Sequence, residues 1–299
     1  MQNDTIILLD GGMGQELRKR SQKPASPLWS TQVMLDEPEL VTASHRDFID
    51  AGAEVITVNT YAATPPRLTR DGDPTSLAAL HDAALQAARQ ARDESGRAVR
   101  LAGCLPPLVA SYHAEVVPDD ATCARDYRRL VEAQAGGVDL FIAETMTLTR
   151  EAVAATEAAR ESGLPVWVAF TVDDNNGHQL RSGEPLADAA RAVIDAGAGA
   201  VLINCSVPEA VTDAMADLAD LGVPFGGYAN GFEAAAELKV GGTVDGLKAR
   251  EQLTPDVYAG YVQQWMAAGA TLVGGCCEIG PAHIAALREV LDTEVGSPS

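Results

Sequence analysis

Short apolar runs alternate with longer amphipathic stretches along the whole chain. The apolar runs lack a strict alternation of apolar and polar residues, so they are typical of parallel strands that are covered on both faces. We predict eight strands of this kind, at Ile6–Asp10, Val55–Thr60, Val99–Gly103, Asp139–Glu144, Val166–Val172, Ala200–Cys205, Pro224–Ala229 and Thr271–Gly275.

The stretches between these runs are rich in alanine and carry apolar residues at helical spacing. Several begin with proline, which fits the first turn of a helix because the amide hydrogen that proline lacks has no partner there. The predicted helices are Pro38–Ala51, Ser76–Glu94, Cys123–Gly136, Thr149–Ser162, Pro185–Ala196, Pro208–Leu221, Pro255–Ala268 and Pro281–Leu291. Gly231–Gln252 is the one long interior stretch without a clear element, and Glu294–Ser299 is expected to be a disordered tail.

Eight strands alternating with eight helices predict an α/β fold, a single (β/α)8 TIM barrel that spans residues 1–299. An open, doubly wound sheet has the same alternation, so the count alone does not exclude it. The segment DGGMGQEL after the first strand lacks the GxGxxG spacing of a dinucleotide-binding turn. No linker divides the chain, and we therefore expect one domain.

The composition restricts the classes of partner. Of 299 residues, 46% are hydrophobic, and 22 basic residues stand against 42 acidic ones, for a net charge of −20. This balance argues against binding nucleic acid or an anionic membrane and leaves small-molecule substrates, while an oligomer stays open. There is no basic leader, and the apolar run Ile6–Leu9 is too short to be a signal peptide or a membrane span, so we expect a cytoplasmic protein.

Polar and reactive residues gather where the predicted strands end. In an α/β barrel the carboxyl ends of all strands meet at one face, which carries the chemistry. So many polar residues at strand ends are hard to explain as packing. The residues at these ends are Asp10-Gly11-Gly12, Asn59-Thr60-Tyr61, Gly103-Cys104, Glu144-Thr145, Asn204-Cys205-Ser206, Tyr228-Ala229-Asn230 and Gly274-Gly275-Cys276-Cys277.

Three of the five cysteines suit a metal site. Cys276 and Cys277 are adjacent after the eighth strand, and Cys205 ends the sixth, so the three thiols can converge. Three thiolates suit Zn²⁺ and leave its fourth position open, as in a catalytic site. A vicinal disulfide between Cys276 and Cys277, acting as a redox switch, is the alternative. We interpret Cys104 and Cys123 as small hydrophobic residues.

The motifs also carry a resemblance to a known family. From the first strand to the last they read LLDGGMGQEL, PLWS, AGAEVITVNTYAAT, GCLPPLVASY, FIAET, INCS, YAN and GGCCEIGPAHI. In this order they resemble the homocysteine S-methyltransferases, which share a domain with betaine–homocysteine methyltransferase and with the first module of cobalamin-dependent methionine synthase. The resemblance implies a (β/α)8 barrel with Zn²⁺ held by Cys205, Cys276 and Cys277. We expect the reaction to need no histidine.

The resemblance also implies how homocysteine is held. Glu144 and Asp10 are expected to bind its ammonium group. The amides around Gly11, Gly12 and Met13 are expected to receive its carboxylate, helped by the start of the short helix that follows. A helix cap for Asp10 and a structural ion pair for Glu144 are the alternative roles, but Glu144 has no basic residue near it in sequence.

Three asparagine and threonine residues complete the expected site. Asn59 and Thr60, at the end of the second strand, are expected to contact substrate. Asn230 matches the asparagine of the family's YPN motif and is expected to be a fourth zinc ligand when substrate is absent. The middle residue of that motif is Ala229 here instead of proline.

The methyl donor is the least determined part of the reaction. The segment PLWS resembles the branch that uses S-methylmethionine or S-adenosylmethionine, and Trp29 could face the sulfonium, or it could simply anchor its loop. GCLPPLVASYHAEVV departs from the GPYG-type sequence of that branch. The expected reaction transfers methyl from a sulfonium to the homocysteine thiolate and gives methionine. Betaine as donor, or a barrel that binds zinc or thiols without catalysis, are the alternatives.

Overall fold

The computed structural model describes residues 5–23, 27–28, 30–233, 238–242 and 247–295. Within these ranges, eight parallel strands form one curved sheet, and two further strands form a separate hairpin. The strands are β1 (Ile7–Leu8), β2 (Val55–Thr57), β3 (Arg100–Leu105), β4 (Leu140–Met146), β5 (Val166–Phe170), β6 (Val172–Asp173), β7 (Asn176–Leu180), β8 (Ala200–Asn204), β9 (Phe225–Tyr228) and β10 (Leu272–Val273).

The sheet closes into a barrel. Its order is β1-β10-β9-β8-β5-β4-β3-β2, and its two ends meet through a parallel bridge between Leu9 and Val55. The Asp10 amide donates to the Val55 carbonyl at 3.0 Å, and the Glu54 amide donates to the Leu8 carbonyl at 2.8 Å. This closure confirms the predicted TIM-barrel fold and excludes the open doubly wound sheet.

Helices surround the barrel. All eight predicted helices are present, with each end within four residues of its expected position. Three short helices lie in the loops after β1 and β2: α1 is the short helix expected after the first strand, whereas α2 and α4 were not predicted. The helices are α1 (Met13–Arg20), α2 (Ser30–Asp36), α3 (Pro38–Asp50), α4 (Pro65–Asp71), α5 (Leu77–Ser95), α6 (Asp120–Gln134), α7 (Thr149–Arg160), α8 (Leu186–Ala196), α9 (Pro208–Leu218), α10 (Pro255–Ala267) and α11 (Pro281–Val295).

Two sequence-based predictions need correction. The predicted strand Val166–Val172 is wrong at its end, because β5 stops at Phe170 and Val172 begins the antiparallel hairpin β6–β7. The tail expected from Glu294 does not begin there, since α11 continues to Val295, and residues 296–299 lie outside the described ranges. In the stretch from Gly231, the described part holds an antiparallel bridge between Phe232 and Ala249. No described helix has the length and apolar character needed to cross a bilayer.

Apolar side chains fill the barrel in layers and also pack between the strands and the helices. The inner cluster consists of Leu9, Val55, Ala102, Leu140, Ile142, Trp167, Ala169, Ala200, Leu202, Tyr228 and Leu272. Along β4, Leu140 and Ile142 face inward, whereas Phe141 and Ala143 join the outer core. The two-residue period of a strand therefore carries Glu144 inward, to the top of the packed interior.

Candidate active site

A cavity opens at the carboxyl ends of the strands, with an empty volume of about 850 Å³ that includes its open mouth. Its wall contains residues from the ends of β1, β2, β4, β8 and β9 and from the loop after β10. This is the face on which barrel enzymes carry their chemistry. The candidate residues that line it are Asp10, Gly11, Gly12, Met13, Asn59, Glu144, Cys205, Cys276 and Cys277.

Three cysteine thiols converge at one side of this cavity. The Sγ atoms of Cys205, Cys276 and Cys277 all lie within 4.8 Å of one another, and those of Cys205 and Cys277 are 4.0 Å apart. Tetrahedral zinc with Zn–S bonds of about 2.3 Å would separate its sulfur ligands by about 3.8 Å. The cluster therefore fits a metal that prefers sulfur. It consists of the three cysteines that the sequence predicted.

Two of these thiols are joined in this structure. Cys205 and Cys276 form a disulfide, with their Cα atoms 5.7 Å apart, and Cys277 is a free thiol. The vicinal disulfide between Cys276 and Cys277, considered from the sequence, is therefore not the bond that forms. Metal binding needs three thiolates, so the Cys205–Cys276 bond must be reduced before a metal can enter.

The backbone around the cysteines is fixed by neighbouring loops. The Cys276 amide donates to the Ala229 carbonyl at 2.9 Å, and the Cys277 carbonyl accepts from the Gly231 amide at 2.8 Å. Cys205 has a φ of +48°, in the left-handed region that non-glycine residues rarely adopt. Such strain persists where the surroundings impose it, which is common at functional sites. The thiols are therefore held in place by the fold.

The glycine before the cysteines serves close packing. A Cβ atom on Gly275 would lie 2.2 Å from the Ile279 side chain. Gly275 does not have a positive φ. Gly275 therefore permits a tight approach between the loop and its own continuation rather than an unusual backbone conformation.

Asp10 and Glu144 give the cavity an acidic part. Asp10 is 6% exposed, its Oδ2 accepts from the Thr57 amide at 2.8 Å, and burial raises its pKa to about 8. Burial also raises the pKa of Glu144. None of the described residues that line the cavity is Lys, Arg or His. An ammonium group placed here would favour the ionised form of both acids and gain a charge-assisted contact.

The loop that leads into α1 approaches the cysteines closely. The Gly12 amide donates to the Ile279 carbonyl at 2.8 Å, and the Met13 amide donates to the Gly11 carbonyl at 2.9 Å. Two of the three amides expected to receive a carboxylate are therefore already used within the chain. The amides of Gly11 and Gly14, which also line the cavity, are better placed for an anionic ligand at this helix N-terminus.

The remaining candidates occupy different positions. Asn59 lines the cavity, and its Nδ2 donates to the Ser30 carbonyl at 3.2 Å, which ties α2 to the barrel. Thr60 is not brought to the cavity, because its Oγ1 points away to Gln134 Oε1 at 3.4 Å. Asn230 is fully buried, and its Oδ1 accepts from the Phe232 amide at 3.1 Å. Trp29 lies outside the described residues.

Three tyrosines of the cavity were given no role from the sequence. Tyr61, Tyr112 and Tyr228 line the wall. The Tyr61 hydroxyl lies 2.7 Å from Ser111 Oγ, and the Arg181 guanidinium stacks 4.9 Å from the Tyr112 ring centroid. Tyr61 and Tyr228 stand at strand ends, where the rule that located the acids also placed them without assigning a role. Tyr112 lies in a loop, where no such signal exists.

The two remaining cysteines differ from each other. Both are buried, as expected of small hydrophobic residues. The Cys123 thiol contacts only the Pro118 carbonyl at 3.5 Å among the described hydrogen bonds, and it does not line the cavity. The Cys104 thiol instead donates to Glu144 Oε1 at 2.9 Å, directly behind the cavity wall. The interpretation of Cys104 as a purely apolar residue is therefore incomplete.

The chain is similar to known proteins over nearly its whole length. A profile of the homocysteine S-methyltransferase family matches residues 7–291. The homocysteine S-methyltransferase of Escherichia coli K12 is 33% identical, over 95% of this chain and 94% of its own. Crystal structures of the homocysteine methyltransferase MmuM from Escherichia coli cover 97% of both chains, with a TM-score of 0.79 and 31% identity for the metallated form and 0.80 and 30% for the oxidised form. This chain belongs to the homocysteine S-methyltransferase family and is an enzyme of the methyltransferase class.

Proposed function

We propose that this enzyme transfers a methyl group from a sulfonium donor to the thiolate of L-homocysteine, with Zn²⁺ held by Cys205, Cys276 and Cys277. The observation that carries the proposal is the meeting of three thiols and two carboxylic acids in one cavity. The thiols supply a site for a soft metal, and the acids supply a site for an ammonium group. Homocysteine has both a thiol and an ammonium group.

The donor set fits zinc better than a hard metal. Three sulfur ligands favour Zn²⁺ over Mg²⁺ or Ca²⁺, which prefer oxygen. When bound, Zn²⁺ would lower the pKa of a substrate thiol, so that the thiolate is present near neutral pH. Three protein ligands leave one position for that thiol.

The chain's own residues orient the amino-acid end of homocysteine. Asp10 and Glu144 would pair with the ammonium group, and the amides of Gly11 and Gly14 would receive the carboxylate. These contacts fix the direction from which the sulfur reaches the methyl carbon. A fixed direction matters because displacement at carbon needs the entering and leaving atoms in line.

The transfer itself needs no acid or base from the protein. The thiolate sulfur forms a bond to the methyl carbon, the bond from carbon to the donor sulfur breaks, and its electron pair stays on the donor as a neutral thioether. S-methylmethionine would give two molecules of methionine. A thioether is a weaker base than the tertiary amine that betaine would release, so it leaves more readily.

The cavity suits a cationic donor. Tyr61, Tyr112 and Tyr228 line it, with Tyr61 and Tyr112 each stacked by an arginine from outside the lining, and no cationic side chain stands among the described lining residues. An aromatic face attracts a cation by about 0.5–2 kcal/mol without forming an ion pair. Weak attraction is useful here, because the positive charge disappears as the methyl group leaves.

Metal analysis tests the zinc half of the proposal. Reduced, freshly purified protein should contain about one zinc per chain, as a single site of three cysteines requires. Cys205→Ser, Cys276→Ser and Cys277→Ser should each lose zinc and activity, since each removes one ligand. Cys123→Ser is the matched control, because it alters a buried thiol away from the cavity, and it should keep both. A Cys123 variant that lost zinc like the others would contradict the ligand set.

A donor panel tests the other half. Homocysteine is the acceptor throughout, methionine formation is the signal, and the donors are S-methylmethionine, S-adenosylmethionine and betaine. We expect turnover with a sulfonium and none with betaine. Turnover with betaine alone would overturn the donor assignment and leave the zinc site standing. Zinc binding with no turnover on any donor would indicate a barrel that only binds metal or thiol.

A further inference from the structure

The Cys104 thiol occupies a defined place behind the cavity. Cys104 lies two residues after Ala102 on β3, so the two side chains share one face of the strand; Ala102 belongs to the inner cluster, and Cys104 also packs against residues of the outer core. Its side chain is 1% exposed. The Sγ atom donates to Glu144 Oε1 at 2.9 Å, and Glu144 lines the cavity. The thiol thus contacts a substrate-binding candidate from the side that substrate does not reach.

The backbone of Cys104 is held by one buried side chain. The Cys104 amide donates to Gln134 Oε1 at 2.9 Å, and Gln134 Nε2 donates back to the Cys104 carbonyl at 3.0 Å and to the Leu130 carbonyl at 3.0 Å. Gln134 is fully buried at the end of α6. A side-chain amide that bonds both polar groups of one residue fixes that residue's position.

Glu144 is set by an irregularity in its own strand. The pairing of β4 with β5 shifts register between Ala143 and Met146, and Thr145 has a φ of +61°. Asn204 holds this bulge, because its Oδ1 accepts from the Thr145 amide and its Nδ2 donates to Thr145 Oγ1, both at 2.9 Å. Bulges of this kind redirect side chains beside active sites.

The two carboxylate oxygens of Glu144 have unequal partners. Oε1 accepts from the Cys104 thiol at 2.9 Å, whereas Oε2 accepts from the Tyr228 hydroxyl at 3.4 Å. The contact at Oε1 is the shorter one, and it comes from a residue that is itself fixed at its backbone. Oε2, with the weaker contact, is the oxygen left for a ligand in the cavity.

We propose that Cys104 is a positioning residue for homocysteine: its thiol holds Glu144 Oε1 and so presents Oε2 to the substrate ammonium. The proposal rests on the role proposed above for Glu144. Burial and the neighbouring Glu144 carboxylate raise the pKa of the Cys104 thiol well above its usual range, so it keeps its proton and acts as a donor. Cys104 neither contacts the transferred methyl group nor belongs to the three-cysteine cluster.

Removal of the thiol should weaken homocysteine binding alone. Cys104→Ala should raise the KM and the calorimetric Kd for homocysteine by about threefold to tenfold, since a weak donor to a charged acceptor is lost. kcat, the donor KM and the zinc content of the reduced holoenzyme should stay unchanged. Cys104→Ser keeps a donor in place and should recover most of the affinity. Cys123→Ala, which removes a buried thiol elsewhere, should match the wild type.

A double variant distinguishes the proposed role of Cys104 from the proposed role of Glu144, on which it rests. Glu144→Gln should weaken homocysteine binding by about tenfold or more, and Cys104→Ala should add little in that background because the held carboxylate is gone. Equal effects of Cys104→Ala with Glu144 and with Gln at that position would overturn the role of Cys104. So would equal affinities of the Ala and Ser variants, or parallel losses for both substrates. Normal homocysteine affinity in Glu144→Gln would instead overturn the proposed role of Glu144.

Discussion

Asp10 links the charge of the cavity to the stability of the protein. Its folded-state pKa is about 8, whereas an aspartate in an unfolded chain titrates near pH 4 (about 3.9). Between these values the folded protein binds the extra proton, so its stability falls as pH rises, by up to about 1.4 kcal/mol per pH unit. Below the lower value the contribution is fully present, and above the higher one it is lost.

Asp10→Asn isolates this effect. Asparagine keeps an oxygen that can accept from the Thr57 amide, but it does not titrate. We expect the metal-free variant to gain stability over the wild type progressively from about pH 4 to pH 8, measured by urea unfolding with both proteins in the same thiol state. The same variant should bind homocysteine more weakly. A difference in unfolding free energy between variant and wild type that stays constant across this pH range would show that Asp10 does not carry the proton.

The sequence was informative about single residues where a rule of placement applied. Cysteines and acids at strand ends could be assigned to one face, because parallel strands end together. Thr60 shows the limit of that rule, since its side chain turns to Gln134 and away from the cavity. Cys104 shows another limit. Its partner Glu144 is on a different strand, and a thiol's hydrogen bond leaves no pattern in the chain.

At the scale of elements, the first turn of α1 packs on the loop that carries two cysteines. A Cβ atom on Gly12 would lie 2.5 Å from the Cys276 carbonyl oxygen and 3.1 Å from the Cys277 Cα. Both contacts are with backbone, so a side chain can be accommodated only if the loop or the helix moves. Gly12 is therefore required for the approach that brings α1 to the cysteines.

Gly12→Ala should displace the cysteine loop. We expect reduced zinc content and homocysteine binding weakened by about tenfold or more, because loss of a correct geometry by even one ångström is costly at a metal site. Metal analysis and calorimetry measure both effects. Gly260→Ala is the control, since a Cβ atom there meets nothing within 4 Å and alanine favours the helix. A Gly12 variant with the zinc content of that control would remove the steric argument.

The long elements could be predicted, and the short ones could not. A long helix shows its apolar period in sequence, whereas the seven-residue helices α2 and α4 form mainly because they pack against the barrel. α4 did have a readable start, as Thr64 caps it by accepting from the Arg67 amide ahead of two prolines. The hairpin after β5 was missed because only Thr171, a residue that strands accept readily, separates Phe170 from Val172.

At the scale of the whole molecule, the count of strands and helices predicted the architecture but not its closure. An open doubly wound sheet and a barrel contain the same elements but order their strands differently, and only the barrel pairs the two strands at the ends of its sheet. Here that pairing is the bridge between Leu9 and Val55. It joins residues that are distant in sequence, and no local pattern reports it. The net charge of −20 constrains partners and solubility and has no bearing on this choice.

The strands β1 and β2 are paired over a short length, and Asp10 lies beside that pairing. Neighbouring strands such as β5 and β8 share four paired positions, whereas β1 and β2 meet at one bridge, reinforced by the Asp10 carboxylate on the Thr57 amide. A substrate ammonium that contacts Asp10 would therefore act on the least secured seam of the barrel. The affinity for the ligand and the stability of the β1–β2 pairing are then thermodynamically linked. If substrate binding stabilises the pairing of β1 with β2 by some factor, then that pairing strengthens substrate binding by the same factor.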